Sequence, residues 1–297
     1  MNRTLRNPAT FILFILPALI LYSVFYIYPI FTTFQFGFTD YNGLSKPEYI
    51  GFENYVTALT DDPNFWVGFL NNVWFILFSI FVQVPIILLI AVLVAGVKRF
   101  RGFYKTTVFL PSILSTAVVG VLFTFVVFHP QIGILNSGLT AIGLESWTMG
   151  WLGDERTAML SILVTNAWQW TGFYVVLVLA AIFGISKEVL EAAEIDGATS
   201  FQRTRFIIIP LIRPVIFVII LLSITGAMKA LDIVIVMTNG GPFGSTEVMA
   251  TYMYRVAFNQ DYYGYGNAIA NLIFIFSLLI TLIFNSISKK YGDVEGE

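Results

Sequence analysis

The sequence contains no cysteine and only one histidine among its 297 residues. The missing cysteines exclude disulfide bonds, thiolate metal sites and a cysteine nucleophile. Charged residues make up only 11% of the chain, against roughly 25% in a soluble domain, which excludes an ordinary soluble enzyme. The formal net charge of −2 provides no basic surface for a phosphate backbone, so a nucleic-acid partner is also excluded.

Long apolar runs take the place of the missing charges, and hydrophobic residues make up 57% of the chain. A helix needs about 20 mostly apolar residues to cross a hydrocarbon core of ~30 Å. The sequence therefore predicts an all-α, multi-pass membrane protein. Its six predicted transmembrane helices, named spans one to six, cover approximately residues 11–34, 69–96, 107–128, 158–183, 214–238 and 267–288.

The distribution of basic residues predicts the orientation of these spans. With the N-terminus inside, the inner segments hold 12 of the 16 Lys and Arg residues, including Arg3, Arg6 and Lys98, and the outer segments hold 3. Because Lys and Arg accumulate on the cytoplasmic side, both termini are predicted to be cytoplasmic. We expect residues 1–66 to form the N-terminal span and first outer loop, 67–290 the core with a cytoplasmic loop at 184–213, and 291–297 a short tail.

No catalytic constellation is present. His129 stands alone beside Pro130 at the outer end of span three, where a tolerated polar residue is the ordinary interpretation. The glycine-rich stretch 239–246 has no lysine, and a phosphate-binding loop needs one. We therefore expect no enzymatic activity and no cofactor bound by this chain, so a partner or an ion gradient must drive any active transport.

The segment between spans four and five carries the most information. Residues 187–196 are good helix formers, with Ser186 as a plausible N-cap and Gly197 placed for a left-handed C-cap. Ser200 is expected to cap a second short helix, which Pro210 is expected to end. The pattern predicts a helix–turn–helix on the cytoplasmic face, with small Ala192 and Ala193 leaving a shallow surface. A well-capped surface loop without a special role is the alternative.

This segment resembles the EAA loop of binding-protein-dependent ABC importer permeases, and the resemblance covers roughly residues 10–290. It implies a type I ABC-importer permease fold, in which the loop is a coupling helix that docks on an ATPase subunit. Ile209 stands where the family usually has Leu. The matching residues, for which the resemblance implies a role in coupling, are Glu191, Ala192, Ala193, Gly197, Ile207 and Pro210.

Residues 226–267 are similar to carbohydrate-uptake permeases of the maltose and glycerol-phosphate type, and the chain resembles the first subunit of a heterodimer. The resemblance implies uptake of a sugar, most naturally an oligosaccharide, across a bacterial or archaeal cytoplasmic membrane. It also implies four kinds of neighbour: a second permease subunit, two ATPase subunits that use the ATP, an extracytoplasmic solute-binding protein, and membrane lipid.

Span four contains polar and aromatic residues in an otherwise apolar run, namely Asn166, Trp168, Gln169 and Trp170. Amides and aromatic rings suit sugar binding in a translocation pathway. Amides also bond across helices in membrane bundles, and both interpretations stay open.

Lys229 and Asp232 lie within span five, where a charge costs ~2.5–3.5 kcal/mol on insertion scales. Spaced three apart, they are expected to meet on one helical face and neutralise each other. The alternative is that they face an aqueous pathway, with a discontinuity indicated by Gly226 and by Gly240-Gly241-Pro242.

Two other functions compete with that of an ABC importer permease. A subunit of an ion-gradient-driven transporter or channel would have no docking role for its inner loop. A membrane scaffold without transport is disfavoured by the charges within the membrane.

Overall fold

The computed structural model describes residues 8–97 and 99–292, so Arg3, Arg6, Lys98 and the tail from residue 293 lie outside it. The described chain is mainly helical. Its α-helices are Pro8–Tyr22, Tyr28–Phe36, Glu53–Val56, Pro63–Phe78, Val84–Gly96, Arg101–Phe109, Thr116–Leu122, Ile134–Ala141, Glu155–Phe183, Lys187–Ile195, Ser200–Arg203, Ile209–Leu211, Arg213–Met228, Asp232–Met237, Met249–Tyr254 and Tyr263–Gly292.

Shorter π-helical and 3₁₀ turns join several of these helices end to end. The π-turns are Ser23–Ile27, Thr57–Asp61, Ser79–Gln83, Phe123–Val127, Thr204–Ile208 and Arg255–Asn259, and the 3₁₀ turns are Leu110–Ile113 and Glu145–Trp147.

Four helices of the described chain are long and apolar enough to cross a membrane: Ile12–Phe36, Pro63–Gly96, Glu155–Phe183 and Tyr263–Lys289. They contain or overlap predicted spans one, two, four and six. Two bent helix pairs raise the number to as many as six if each pair is counted as one span. The chain therefore has the multi-pass helical character that its hydropathy predicts.

An unbroken helix over span three is a wrong prediction. The chain turns by 95° between Arg101–Ile113 and Thr116–Val127. Pro111 lies in the 3₁₀ turn that ends the first helix. Ser115 follows with an extended backbone, and its side-chain hydroxyl accepts a hydrogen bond from the N–H of Val118. A new helix therefore starts there, although hydropathy stays high on both sides of the bend.

Span five is also interrupted. The helix Arg213–Met228 ends before Lys229, and a new helix begins at Asp232. Between them Leu231 N–H bonds the carbonyl of Lys229 at 2.7 Å, which closes a three-residue turn. The break therefore falls between Gly226 and Gly240, the glycines that indicate a discontinuity.

The chain divides into two compact units. One comprises the residues up to Asp62 together with Met253–Phe274. It contains a two-stranded antiparallel hairpin that sequence analysis missed, in which Thr39 pairs with Tyr49 and Asp40 with Glu48. Within the same unit Tyr265 donates a hydrogen bond to Asp62 at 2.5 Å, and Asn271 bonds the hydroxyl of Tyr55 at 2.8 Å.

The other unit comprises Pro63–Tyr252 and the residues from Ile275 onward. It holds two apolar cores, one around Phe75, Val119, Ile162 and Val234 and the other around Ile87, Val178, Leu179 and Ile219. Two buried amides fasten the start of span two to distant backbone in this unit. Asn71 donates to the carbonyl of Glu247 at 2.7 Å, and Asn72 donates to that of Ala227 at 2.7 Å.

Candidate coupling loop and translocation cavity

The first half of the loop is a helix with a tightly built C-terminus. The helix Lys187–Ile195 is followed by Gly197, whose φ of +79° is the left-handed conformation predicted from the sequence. Gly197 N–H bonds the carbonyl of Glu194 at 3.1 Å, and Ala198 N–H bonds that of Ala193 at 2.9 Å. This pair of bonds is a Schellman motif, which satisfies the last carbonyls of the helix and fixes the direction of the chain.

The second half of the loop begins one residue earlier than predicted. Thr199, not Ser200, is the N-cap, because Thr199 has an extended backbone and forms a capping box with Gln202. Gln202 N–H bonds the Thr199 hydroxyl at 3.3 Å, and the Gln202 side chain accepts from Thr199 N–H at 2.8 Å. The backbone N–H groups of Thr199 and Gln202, which have no partner within the helix, are therefore both hydrogen-bonded.

Pro210 does not end the second helix, which is a correction to the sequence-based expectation. The chain stays helical from Ser200 to Leu211 through a π-turn at Thr204–Ile208. In that turn Ile209 N–H bonds the carbonyl of Thr204, five residues back. The backbone hydrogen bonds have therefore changed from a four-residue to a five-residue spacing just before Pro210. Pro210 has no N–H to donate, and the helix continues past it to Leu211.

An ion pair between Arg203 and Glu194 joins the two helices of the loop. Glu191 and Ala192 are exposed, whereas Ala193 is buried and so does not contribute to a shallow outer surface as expected. Ile207 and Pro210 are half-buried. Large apolar side chains are also exposed: Ile195 is 85% exposed and Phe201 74% exposed. The loop therefore presents a preformed, partly apolar surface.

Ser186 occupies the N-cap position, but its hydroxyl does not cap the helix. It donates instead to the carboxylate of Glu188 at 2.6 Å. This bond, helped by the backbone N–H of Glu188, lowers the pKa of Glu188 below its ordinary value. A lowered carboxylate pKa adds stability at neutral pH, and that contribution is lost as the pH falls through the lowered pKa.

A polar cavity of about 270 Å³ lies where span five breaks. Asn166 and Trp170 line it from span four, and Lys229 and Asp232 line it from the two sides of the break. Ala227, Ala230 and Ile233 complete its wall beside the charged residues. The cavity therefore offers hydrogen-bond donors, acceptors and an aromatic face in one place, which is the chemistry needed to hold a polar solute.

Comparison with known proteins identifies the fold and the family. Residues 55–292 match the family described as binding-protein-dependent transport system inner membrane component. The chain belongs to this family.

The permease is 36% identical over 274 residues to the "Probable ABC transporter permease protein YurN" of Bacillus subtilis, covering 91% of this chain and 93% of that one. It is 32% identical over 279 residues to the lactose transport system permease protein LacF of Rhizobium radiobacter, covering 91% of each chain. The crystal structure of a bacterial alginate ABC transporter, in complex with a periplasmic protein bound to an alginate pentasaccharide, contains a chain with a TM-score of 0.85 and 25% identity. That alignment covers 98% of each chain.

The four residues predicted in span four of the permease separate into two pairs. Asn166 and Trp170 line the polar cavity. Gln169 is 1% exposed and donates to the carbonyl of Leu114 at 3.1 Å and to the hydroxyl of Thr116 at 3.3 Å. Trp168 faces a separate, apolar groove. Cavity lining and interhelical bonding are thus both present, at different residues of one helix.

Lys229 and Asp232 do not meet on one helical face as expected. The break between them separates their helices, both residues are exposed, and no ion pair joins them in the described part of the permease. Both residues line the polar cavity.

Sequence reasoning missed five polar residues that line the cavity: Ser79, Gln83, Thr116, Tyr174 and Ser223. Ser79 and Gln83 delimit a π-turn in span two and are four residues apart. That spacing places them on neighbouring turns of one face, and a search for paired polar residues in each span would have found them. His129 has a local role, because its Nδ1 accepts bonds from the backbone N–H groups of Gln131 and Ile132.

Proposed function

We propose that the permease is the transmembrane subunit of an ATP-driven uptake system for sugars of the oligosaccharide class. It forms half of the translocation pathway in a heterodimer with a second permease. Two separate ATPase subunits bind the ATP and dock on the loop 184–213, and an extracytoplasmic solute-binding protein delivers the sugar. The system lies in a bacterial or archaeal cytoplasmic membrane, with both termini of this chain in the cytoplasm.

The observation that carries the proposal is the construction of the loop Lys187–Leu211. A Schellman motif, a capping box and the Arg203–Glu194 ion pair hold its two helices in one arrangement. A loop that transmits force needs this stiffness, because a flexible segment would absorb the movement of the ATPase. The exposed apolar side chains Ile195 and Phe201 supply a surface to dock against.

The polar cavity supports a sugar as the solute. Sugars are bound by hydrogen bonds from amides and charged groups while an aromatic ring packs on the C–H face. Asn166, Asp232 and Lys229 supply the polar groups and Trp170 supplies the ring. The names of the relatives agree with this class, since one is a lactose permease and another belongs to an alginate transporter.

The proposal is tested by reconstituting the permease with its partners in proteoliposomes. The purified chain alone should not hydrolyse ATP, because its sequence has no phosphate-binding loop. Hydrolysis should appear when two ATPase subunits and the second permease are added, and the loaded binding protein should stimulate it. Uptake of labelled oligosaccharide should then require internal ATP. Uptake driven by an ion gradient without ATPase subunits would refute the proposal.

A further inference from the structure

We propose that the permease holds an anionic phospholipid, with its phosphate on Arg101 and Lys105 and one acyl chain in the apolar groove beside span two. The groove is a separate cavity of about 450 Å³ between span two, the helix Arg101–Ile113 and span four. Its wall is almost entirely apolar, with Val82, Ile86, Ile90 and Val108 among the lining residues. Gln83, Thr107 and Thr171 are the polar residues in that wall, too few to pair with the many hydroxyls of a sugar.

Two cations of the helix Arg101–Phe109, which borders the groove, lie beside the same aromatic ring. The guanidinium of Arg101 lies 4.9 Å from the ring centre of Phe183, and the ammonium of Lys105 lies 5.8 Å from the same centre. Neither residue forms an ion pair within the described part of the chain. Two positive charges on one ring, without a carboxylate, favour an external anion, and basic sites between membrane helices bind anionic lipid headgroups.

Arg101 is fixed in place and still has donors to spare. Its Nε bonds the carbonyl of Val97 at 2.9 Å, and one terminal nitrogen bonds that of Ala95 at 3.1 Å. A guanidinium has five N–H donors, so at least three remain for phosphate oxygens. The two backbone bonds also fasten the cation to the end of the span-two helix, whose last residue is Gly96.

The distance from the cations to the groove matches the depth of a lipid tail. Ile90 and Ile86 lie five and nine residues before Ala95, so they are about 8 and 14 Å from it along the helix axis. Half of a hydrocarbon core is about 15 Å deep. A phosphate held by Arg101 therefore places an acyl chain of the same leaflet alongside both isoleucines.

The groove is long enough for a stretch of an acyl chain, since Val82 and Ile90, which both line it, are about 12 Å apart along the helix axis. The close approach of Gly172 to the backbone of Val108 holds the helices on two sides of the groove, since a Cβ at Gly172 would overlap the Val108 carbonyl.

The headgroup is tested by titrating the purified full-length permease with phosphatidylglycerol or phosphatidylcholine and counting bound lipid by native mass spectrometry. The wild type should prefer phosphatidylglycerol. Lys105→Gln should weaken binding of the tightly held phosphatidylglycerol about fivefold, because it removes one of the two cations that contact its phosphate, a loss of about 1 kcal/mol. Lys289→Gln removes the same charge from an exposed position outside the groove and should change nothing. Equal binding of both lipids, or equal effects of the two variants, would overturn the proposal.

The tail is tested in the same preparation. Ile86→Trp fills the groove and should abolish the tightly bound lipid, whereas Leu89→Trp, on the same helix but outside the groove wall, should retain it. In the wild type, phosphatidylglycerol brominated in its acyl chain should quench tryptophan fluorescence, and Trp168→Phe should remove most of that quenching, because Trp168 lines the groove. Quenching that survives Trp168→Phe places the chain elsewhere and contradicts the proposal. Loss of the bound lipid when the second permease is added would also contradict the proposal, because the groove would then be covered by that subunit.

Discussion

At the scale of single residues, the angle around a helix decides which polar side chains reach the cavity. Each residue of an α-helix is turned by about 100° from the one before, so Asn166 and Trp170, four apart, share a face. Trp168 points away from that face, whereas Gln169 lies about 60° from Asn166 and is held towards Leu114 and Thr116 by its hydrogen bonds. The sequence shows that span four carries four unusual side chains, but it does not show which face of the helix meets the cavity, because that depends on packing against other spans.

This division predicts opposite behaviour for two amides on the same span. Asn166→Ala should leave insertion and stability near wild type but reduce transport, since the side chain lines the cavity. Gln169→Ala should instead lower stability by about 1 kcal/mol, because its bonds to Leu114 and Thr116 are lost inside the bundle. Thermal unfolding of the solubilised protein and uptake in proteoliposomes measure the two effects. Equal stability losses in both variants would contradict the assignment.

Lys229 and Asp232 provide a second prediction at this scale. Because no ion pair joins them and both border the cavity, removing one should not strand the other in an apolar interior. Lys229→Met, Asp232→Leu and the double variant should all insert at near-normal amounts, yet transport should be lost or its sugar preference changed. A mutually neutralising pair gives the reverse result: poor insertion of each single variant and recovery in the double variant. Membrane abundance and uptake distinguish the two outcomes.

At the scale of helices, the breaks and turns are the features that hydropathy does not reveal. Span three is apolar enough for its composition to predict a continuous helix, whereas the glycines around Lys229 and Asp232 indicate that span five is interrupted without showing where. The bend before Thr116 depends on a 3₁₀ turn and a serine cap, and the break after Met228 depends on a turn closed by Leu231. The Schellman motif at Gly197 was predictable because its glycine follows a clear helical pattern. The N-cap at Thr199 differs from the predicted Ser200 by one position. Thr and Ser are both favourable N-cap residues, so the sequence does not show which of the two neighbours starts the helix.

Gly197 allows a sharp test of the loop. Ala at this position must adopt φ near +79°, which costs roughly 1–2 kcal/mol, although the space around it is open. We expect Gly197→Ala to weaken ATPase association and transport while insertion stays normal. Gly197→Asn should restore part of both, because Asn tolerates the left-handed region.

Gly138→Ala is the matched control for this loop variant. Gly138 lies within the helix Ile134–Ala141, has no neighbour that a Cβ would meet, and is not at a left-handed position. The same substitution there should be neutral or slightly stabilising. If Gly197→Ala transports as well as Gly138→Ala, the turn has no part in coupling.

At the scale of the whole molecule, sequence and structure supply different information. The apolar runs predict a multi-pass helical protein, and the family match and the long helices agree with it. The hairpin of Thr39–Asp40 and Glu48–Tyr49 escaped prediction because two-residue strands carry no periodic pattern. Orientation is a separate question, because an apolar helix can cross a bilayer in either direction. The distribution of basic residues alone predicts that the termini lie inside.

The absence of cysteine makes that orientation directly measurable, because any introduced thiol is the only one in the chain. Leu44 is 96% exposed beside the hairpin, and Ile195 is 85% exposed at the end of the helix Lys187–Ile195. Both lie outside the predicted spans, so neither substitution removes buried packing. Leu44→Cys should react with a membrane-impermeant maleimide added to intact cells, whereas Ile195→Cys should react only after the membrane is opened.

The same thiol then reports on docking. In opened membranes, added ATPase subunits should slow the labelling of Ile195→Cys, because they cover the loop, and should leave the labelling of Leu44→Cys unchanged. Labelling of Ile195→Cys in intact cells would reverse the predicted topology. It would also place the loop Lys187–Leu211 on the outer face of the membrane, where no ATP is available. The proposal that this loop couples to an ATPase would then be rejected together with the topology. Correct sidedness without protection would keep the topology and reject docking at this surface, because a side chain this exposed cannot stay fully reactive beneath a bound subunit.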